Sequence, residues 1–592
     1  MIDAIDDALV YKRQENSNIE EIYRQNLLAD FRAFAFKVHF CTICPMTVRT
    51  TAPINLFLFL LIVSGTGSFG QGSQPRPTPI PTATPTPSIA SPTPAATPRP
   101  VQTLATLQSF IMGRLARAEV RRGRVGIKIV SLNTGKVVFE QDADKYFMPA
   151  SNMKNFTVAT AMERLGPDYK FVTSVYAEAK PDANGIVRGN LRVVGSGDVS
   201  ISTAFFGTSP SDPETYYKGI DRLVDVIAAA GVKRIEGDLI GDESHFKGSA
   251  IPGSWEYDDL QWYYGAEISA LPINDNAVDL SVTPGNIGGP CVVNILPTNT
   301  IYQIANSCVT TPAATKRTLS VNKQIDRNML TISGTIPVGD AFRNSITFSH
   351  PAELFISILK QRLEKRGIVV TGSTKTIKEA PVIPCKDCRE EVIAKLESPP
   401  FREIAAKTMK PSQNMYTETI LWTLGEEERK RALIAPTAAA PDSSDLGLGV
   451  VRNFLTSIGV PADGIVQHDG SGLSRHDLIT PGAVVTLYTY MAKQSPNAQA
   501  WRDSLTIGGV DGTLANRFKG TAAAGNIRGK TGTIDQVSAL SGYMSTAGGE
   551  PVVVSIVVNG VPEPRHRTSL IDDIVIAIAN FDGKIDLPVG PN

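Results

Sequence analysis

At 592 residues the chain is longer than one compact core usually allows, so two or more domains are expected. Hydrophobic residues make up 42% and charged residues 20%, which excludes a disordered or fibrous protein. With 58 basic and 58 acidic residues the formal net charge is zero, so nothing argues for nucleic acid and partners must be read from a site.

The chain begins with an address. Residues 54–63 (INLFLFLLIV) form an apolar run broken only by Asn55, short for a membrane span and suited to the core of a signal peptide. Ser68-Phe69-Gly70 has the small-x-small form of a cleavage site, and Met46 precedes Thr47-Val48-Arg49. The expectation is a signal peptide over 46–70 that starts at Met46, behind a doubtful leader at 1–45, with export to the periplasm or cell envelope. An uncleaved anchor is the alternative. Residues 71–103 follow as a linker whose Pro/Thr-rich stretch can bury no core and predicts an extended tether.

Cys41 and Cys44 fall in the leader; Cys291, Cys308, Cys385 and Cys388 are the rest. In an exported chain an even set suggests disulfides, most simply Cys291–Cys308 and Cys385–Cys388. The second pair also has the spacing of half a zinc site or a redox pair. Structural disulfides rank first, and the six histidines show no metal-ligand spacing.

A helix is predicted over 104–118 from Leu107, Phe110, Ile111 and Leu115. Strands at 125–131 and 136–140 are joined by an Asn133-Thr134-Gly135 turn, and a second helix starts at Ser151 and stops at Gly166-Pro167. From 172 to 395 short β-rich segments dominate, with one clear helix at 351–366. Residues 402–430 read as helix on either side of Pro411-Ser412. Strands at 537–544 and 552–559 and a helix at 568–581 close the chain. The order suggests one α/β domain, 104–171 with 396–592, interrupted by an inserted β-rich region at 172–395.

Three short pieces carry chemistry. Ser151-Asn152-Met153-Lys154 puts a hydroxyl and an amine three residues apart at a helix start, on one face. Ser-x-x-Lys also occurs at Ser244 and Ser320, but only Ser151 follows a hairpin and opens an apolar helix. Burial and a second cation, for which Lys530 is the candidate, would make Lys154 a base. Ser412-Gln413-Asn414 offers a hydroxyl to relay a proton and an amide to orient the lysine. Gln413 itself need not face the site. Lys530-Thr531-Gly532 precedes Thr533 and a strand, so it is placed on an exposed sheet edge that a peptide can join.

These pieces, with Pro149-Ala150-Ser151-Asn152, Val194-Gly195-Ser196-Gly197-Asp198, residues 255–266, Asp469-Gly470-Ser471-Gly472-Leu473-Ser474-Arg475 and residues 509–514, resemble the penicillin-binding protein 4 type of D-alanyl-D-alanine carboxypeptidase/endopeptidase, serine peptidases of family S13. The resemblance covers roughly residues 105–580. It implies an α+β penicillin-binding, β-lactamase-like transpeptidase domain, with an antiparallel sheet between helices and a large insertion. It implies Ser151 as nucleophile, Lys154 as general base, and Ser412 and Asn414 in the proton relay. Lys530, Thr531, Gly532 and Thr533 would bind the D-Ala carboxylate, and the Ser151 and Thr533 amides would form the oxyanion hole. Peptidoglycan stem peptides are the implied substrate, β-lactams the implied covalent inhibitors, and no cofactor or metal is implied. A β-lactamase and a non-catalytic wall-binding protein are the alternatives.

Overall fold

The computed structural model describes residues 102–207, 212–379, 390–435 and 440–585. The expectations for the leader, the apolar run, most of the linker and the Cys385/Cys388 pair lie outside the described residues.

Helix α1 (Leu104–Leu115) starts at Thr103, whose hydroxyl accepts the Thr106 amide at 3.2 Å. Leu107 and Ile111 are buried, whereas Phe110 is 44% exposed. The i,i+4 pair sets the buried face and Phe110 falls on its flank, so the expected stripe was one residue too wide. The helix also ends before residue 118, where charged Arg117 and Glu119 offer no further apolar face. Strands β1 (Arg124–Ser131) and β2 (Val137–Gln141) form the expected hairpin, with Gly135 at φ 73° in its turn. The next helix comes in two parts. A single 3-10 turn (Ala150–Met153) precedes α2 (Lys154–Arg164), so Ser151 lies on the tighter turn rather than on the α-helix proper.

The segment between Val172 and Glu397 builds its own sheets. In chain order it contains β3 (Val172–Ala177), β4 (Leu191–Val194), α3 (Lys218–Ala229) and β5 (Leu239–Asp242). Then come β6 (Ala277–Thr283), β7 (Val292–Leu296), β8 (Phe342–Thr347), α4 (Pro351–Lys365), β9 (Thr374–Ile377) and β10 (Glu391–Glu397). Five strands order as β9-β5-β4-β3-β10, and β8-β6-β7 form a second sheet. Glu397 of β10 pairs with Val172 of β3, so the last strand returns beside the first. Helix α3 is an addition to the expected single helix. Its buried Ile220, Leu223, Val224 and Ile227 have helical spacing that the surrounding β texture obscured. Cys291 and Cys308 form the expected disulfide.

The chain then continues through α5 (Phe401–Met409), α6 (Asn414–Arg431), α7 (Ser443–Ser457) and α8 (Pro481–Lys493). It ends in β11 (Thr506–Ile507), β12 (Arg528–Ile534), β13 (Val537–Ser545), β14 (Pro551–Asn559) and α9 (Pro564–Ala579). Strands from both ends of the chain share one antiparallel sheet, ordered β2-β1-β14-β13-β12-β11. One face carries Ile127, Ile556 and Val558 against Leu107 and Ile111 of α1 and Ile574 of α9. The other carries Val553, Val557 and Tyr543 against Phe156 of α2 and Tyr488 of α8. Both faces are covered, which is why β14 reads as an almost continuous apolar run without alternation. The result is the expected α+β architecture, an antiparallel sheet between helices. Among the described residues no helix is long and apolar enough to cross a membrane.

Candidate active site

Residues i and i+3 eclipse in a 3-10 turn, so the turn at Ala150–Met153 sets Lys154 directly over Ser151. The two side chains meet, Ser151 Oγ lying 3.0 Å from Lys154 Nζ. The amine also donates to Asn414 Oδ1 at 2.5 Å and to the Ser471 carbonyl at 2.8 Å. Both of these oxygens can only accept. They occupy two N–H groups of an uncharged amine and leave its lone pair for the Ser151 hydroxyl.

Asn414 is the first residue of α6, and its Nδ2 donates to the Tyr264 carbonyl at 2.9 Å, which fixes which way the amide faces. Ser412 precedes it at φ 69°, left-handed backbone that a non-glycine residue holds only when its surroundings impose it. Lys530 Nζ donates to Ser412 Oγ at 2.8 Å and to the Thr531 carbonyl at 3.0 Å. The three pieces, far apart in sequence, therefore converge on one place.

Lys530, Thr531, Gly532 and Thr533 lie within β12, not ahead of a strand as the sequence suggested, and this is not an open edge throughout. Strand β11 pairs with β12 at Arg528 and Gly529 only. Beyond that point no strand of the described residues pairs with β12 on this side, and the turn bearing Ser151 packs on the sheet face toward which Gly532 points, with Asn152 Nδ2 donating to the Lys530 carbonyl at 3.1 Å. Lys530, Thr531 and Gly532 are buried and Thr533 is exposed. A Cβ on Gly532 would stand 2.4 Å from the Pro149 carbonyl, so this glycine admits the turn that carries Ser151.

Ser151, Ser412, Asn414, Thr531 and Thr533 line one cleft of about 620 Å³. Thr531 and Thr533 share a strand face, as period-2 geometry requires, while Lys530 and Gly532 turn toward Ser412 and the Ser151 turn.

Burial is the main cause of the electrostatics. It lowers Lys154 to about 7, against the pull of the Asp469, Glu418 and Asp477 carboxylates. Burial first, and then the neighbouring Lys154, drive Lys530 well below its ordinary value. Of the two causes expected for Lys154, burial and a second cation, burial is the one that lowers it, and the repulsion between the two lysines is felt at Lys530. Glu418 is pushed up to about 8 by burial and then by Asp469.

Several contributors were not singled out in the sequence. Thr513 Oγ1 accepts from Thr531 Oγ1 at 2.7 Å inside the cleft. Gly472 at φ 79° lets the loop pass so close to Ala150 that a Cβ would lie 1.9 Å from its carbonyl. Ser471, Gly472 and Thr513 sit in the blocks 469–475 and 509–514, so the signal was present as blocks without roles. A competing Ser-x-x-Lys goes elsewhere: Lys323 donates to Ser349 Oγ at 2.8 Å, not to Ser320. Ser320 and Lys323 lie on a strand, which points positions i and i+3 to opposite faces.

Comparison with known proteins agrees with this geometry. The D-Ala-D-Ala carboxypeptidase 3 (S13) family matches residues 107–580. A D-alanyl-D-alanine carboxypeptidase of Actinomadura sp. (strain R39) is 33% identical over 470 residues, covering 77% of this chain and 81% of that protein. The D-alanyl-D-alanine carboxypeptidase DacB of Haemophilus influenzae is 25% identical over 469 residues, covering 77% and 90%. The crystal structure of penicillin binding protein 4 from Haemophilus influenzae superposes with a TM-score of 0.65 at 22% identity, covering 80% of this chain and all (100%) of that one. The chain belongs to the D-Ala-D-Ala carboxypeptidase 3 (S13) family.

Proposed function

We propose that Ser151 is the nucleophile of a serine-type D-Ala-D-Ala carboxypeptidase that acts on peptidoglycan stem peptides through an acyl-enzyme. The observation that carries this reading is the Lys154 amine, held between two acceptors and set 3.0 Å from Ser151 Oγ at the wall of the cleft. Lys154 takes the hydroxyl proton as Ser151 Oγ attacks the penultimate D-Ala carbonyl. The amides of Ser151 and Thr533 hold the oxyanion. The proton that Lys154 took passes through Ser412, which Lys530 contacts, to the nitrogen of the terminal D-Ala as the C–N bond breaks, and Lys154 is left uncharged again. Water then attacks the acyl carbonyl, Lys154 again accepts a proton, and Ser151 is restored.

The Thr531 and Thr533 hydroxyls, on the cleft face of β12, bind the terminal carboxylate, with the Lys530 side chain behind them. Gly532 lets β12 and the Ser151 turn close on each other. A β-lactam ring amide takes the place of the scissile bond and acylates the same serine. The return of β10 beside β3 supports 172–395 as an inserted region within a catalytic domain of 104–171 and 396–592. The apolar run at 54–63 supports a signal peptide at 46–70, a tether at 71–103 and work outside the cytoplasm.

Intact-mass measurement after incubation with benzylpenicillin, followed by peptide mapping, tests the assignment. One adduct on Ser151, absent in Ser151→Ala, is expected. An adduct elsewhere, or rapid antibiotic turnover with no stable adduct, overturns it, and the second result selects the β-lactamase.

A further inference from the structure

Behind Lys154, away from the cleft, three carboxyl groups share one buried pocket. Asp469 and Asp477 come from the loop after α7, and Glu418 from α6, one helical turn beyond Asn414. Asp469 organises its own loop. Its Oδ1 accepts the Gly472 amide at 2.6 Å, and its Oδ2 accepts the Ser474 amide and the Trp255 indole N–H, both at 2.8 Å. Asp477 accepts the His468 amide at 2.7 Å. Glu418 reaches across from the helix, and both of its oxygens accept the Gly470 amide, at 3.0 and 2.9 Å.

The next residue in that loop is Ser471, whose carbonyl accepts from Lys154. The two acceptors that direct the lysine's lone pair therefore sit on two elements, Asn414 on α6 and Ser471 on the loop. Glu418 is the side chain that joins them. We propose that Glu418 is a positioning residue for the Lys154 base, holding the Ser471 carbonyl in register with Asn414 so that the amine presents its free lone pair to Ser151. The proposal rests on the reading of Lys154 as the base.

Charge adds a second, separable effect. The groups facing Lys154 are Ser151 on the 3-10 turn, Asn414 and Glu418 on α6, Asp469 and Ser471 on the loop, Asp477 beyond it, and Lys530 on β12. Facing Glu418 are Asp469, Asp477, Ser471, the Gly470 amide and Lys154. Three carboxylates cannot all stay charged in one dry pocket: burial, and then Asp469, raises both Asp477 and Glu418, and Glu418 keeps its proton into the neutral range. Lys154 and Glu418 thus share protons over overlapping pH, and an ionised Glu418 makes Lys154 more basic. Losing one proton from the pair leaves a mixture of uncharged lysine with protonated Glu418 and of the corresponding ion pair. Only the first form has a free lone pair. Acylation should then rise with pH in two merged steps.

The test uses the second-order rate of acylation by a fluorescent penicillin from pH 5 to 10, with thermal melts, for the parent, Glu418→Gln, Glu418→Ala and Lys154→Met. Gln keeps one oxygen for the Gly470 amide but cannot ionise. It should hold the rate within about threefold above pH 8, collapse the profile to a single step, and move its midpoint to lower pH, since removing a negative charge lowers the lysine's basicity. Ala removes the clamp and should slow acylation at least about tenfold at every pH, the size expected of a misplaced catalytic group. If the Ala variant does not fold, Glu418→Met, which fills the same space without an acceptor for the Gly470 amide, takes its place and should show the same loss. An Ala variant that folds and acylates at the parent rate, with Lys154→Met inactive, overturns the positioning role and leaves the base intact; a Gln profile that superimposes on the parent overturns the charge effect alone. Full acylation of Lys154→Met overturns the base itself and the proposal with it.

Discussion

Gln413 Nε2 donates to Asp275 Oδ2 at 3.2 Å, tying the turn that carries Ser412 and Asn414 to the segment between β3 and β10. The same glutamine accepts the Met415 amide at 3.2 Å and so caps α6. Asp275 is held in turn by the Tyr416 hydroxyl at 2.5 Å and Ser202 Oγ at 2.7 Å. The middle residue of the second motif does stay out of the cleft, but it is the brace of the motif.

That brace leads to a first prediction. Ser412 at φ 69° is strained, and its geometry persists only while the turn is held. Gln413→Ala should cost about 1–3 kcal/mol, the usual penalty for leaving a buried partner unsatisfied, and should slow acylation as well. Asp275→Ala should do the same. In a double-mutant cycle read by melts and penicillin labelling, the two changes should be less than additive. Strict additivity would show that the contact carries no coupling.

Gly532→Ala addresses the close approach of β12 to the turn that carries Ser151. The new Cβ would meet the Pro149 carbonyl at 2.4 Å and the Ala150 side chain at 3.2 Å. Neither is the end of a flexible side chain, so the turn must move and carry Ser151 with it. A displacement near 1 Å costs on the order of 100-fold in rate. Stopped-flow acylation should show that loss while far-UV circular dichroism stays unchanged; an unchanged rate would mean that the turn has slack.

Much of this was legible in the sequence because it rests on local pattern. The β1–β2 hairpin announced itself through Asn133-Thr134-Gly135, and Ser151 with Lys154 through a helix start after Pro149. What escaped depended on partners distant in sequence. Nothing near Glu418 shows that it meets Gly470, and nothing near Thr531 shows that it meets Thr513. The Lys-Thr-Gly piece was placed on a sheet edge ahead of a strand rather than within it, because lysine, threonine and glycine together lack an apolar run. Tertiary pairing with β13 overrides that weak propensity. Helix α3 was hidden by short strands on either side, although its apolar spacing was present.

Thr513 is the next test. Its hydroxyl is the 2.7 Å partner of Thr531 Oγ1 and lines the cleft. Thr531 gives its one proton to Thr513 in the free protein, so binding a carboxylate reverses the pair, Thr513 donating to Thr531 Oγ1 and Thr531 to the carboxylate; Thr513→Val keeps the shape and removes that support. The loss of one hydrogen bond to a charged group is about 1.5–3 kcal/mol, or roughly tenfold to 100-fold. It should appear in kcat/KM for a D-Ala-D-Ala peptide. An analogue whose terminal carboxylate is amidated should be insensitive to the same change. Equal effects on both substrates would remove Thr513 from carboxylate recognition.

Asp198, in the Gly195-Ser196-Gly197-Asp198 block, supplies a prediction about stability and pH. Its side chain is fully buried, with Oδ1 accepting the Ser200 amide at 2.9 Å. Burial raises it from 3.8 to about 6, opposed by the bonds to Ser200 and by Arg222. The folded state therefore binds this proton more tightly than the unfolded chain. The resulting stabilisation is complete below the unfolded value of 3.8 and is lost as pH rises through about 6. Above that point the fold carries a buried, ionised carboxylate. Asn keeps an oxygen for the Ser200 amide and cannot ionise, so Asp198→Asn removes the pH-dependent part. Relative to the parent, the variant should gain about 2–3 kcal/mol between pH 4 and pH 8. Urea melts of both proteins at pH 4, 6 and 8 measure it directly; a parent–variant difference that stays constant across the series would show that Asp198 titrates in the folded protein as it does in the unfolded chain.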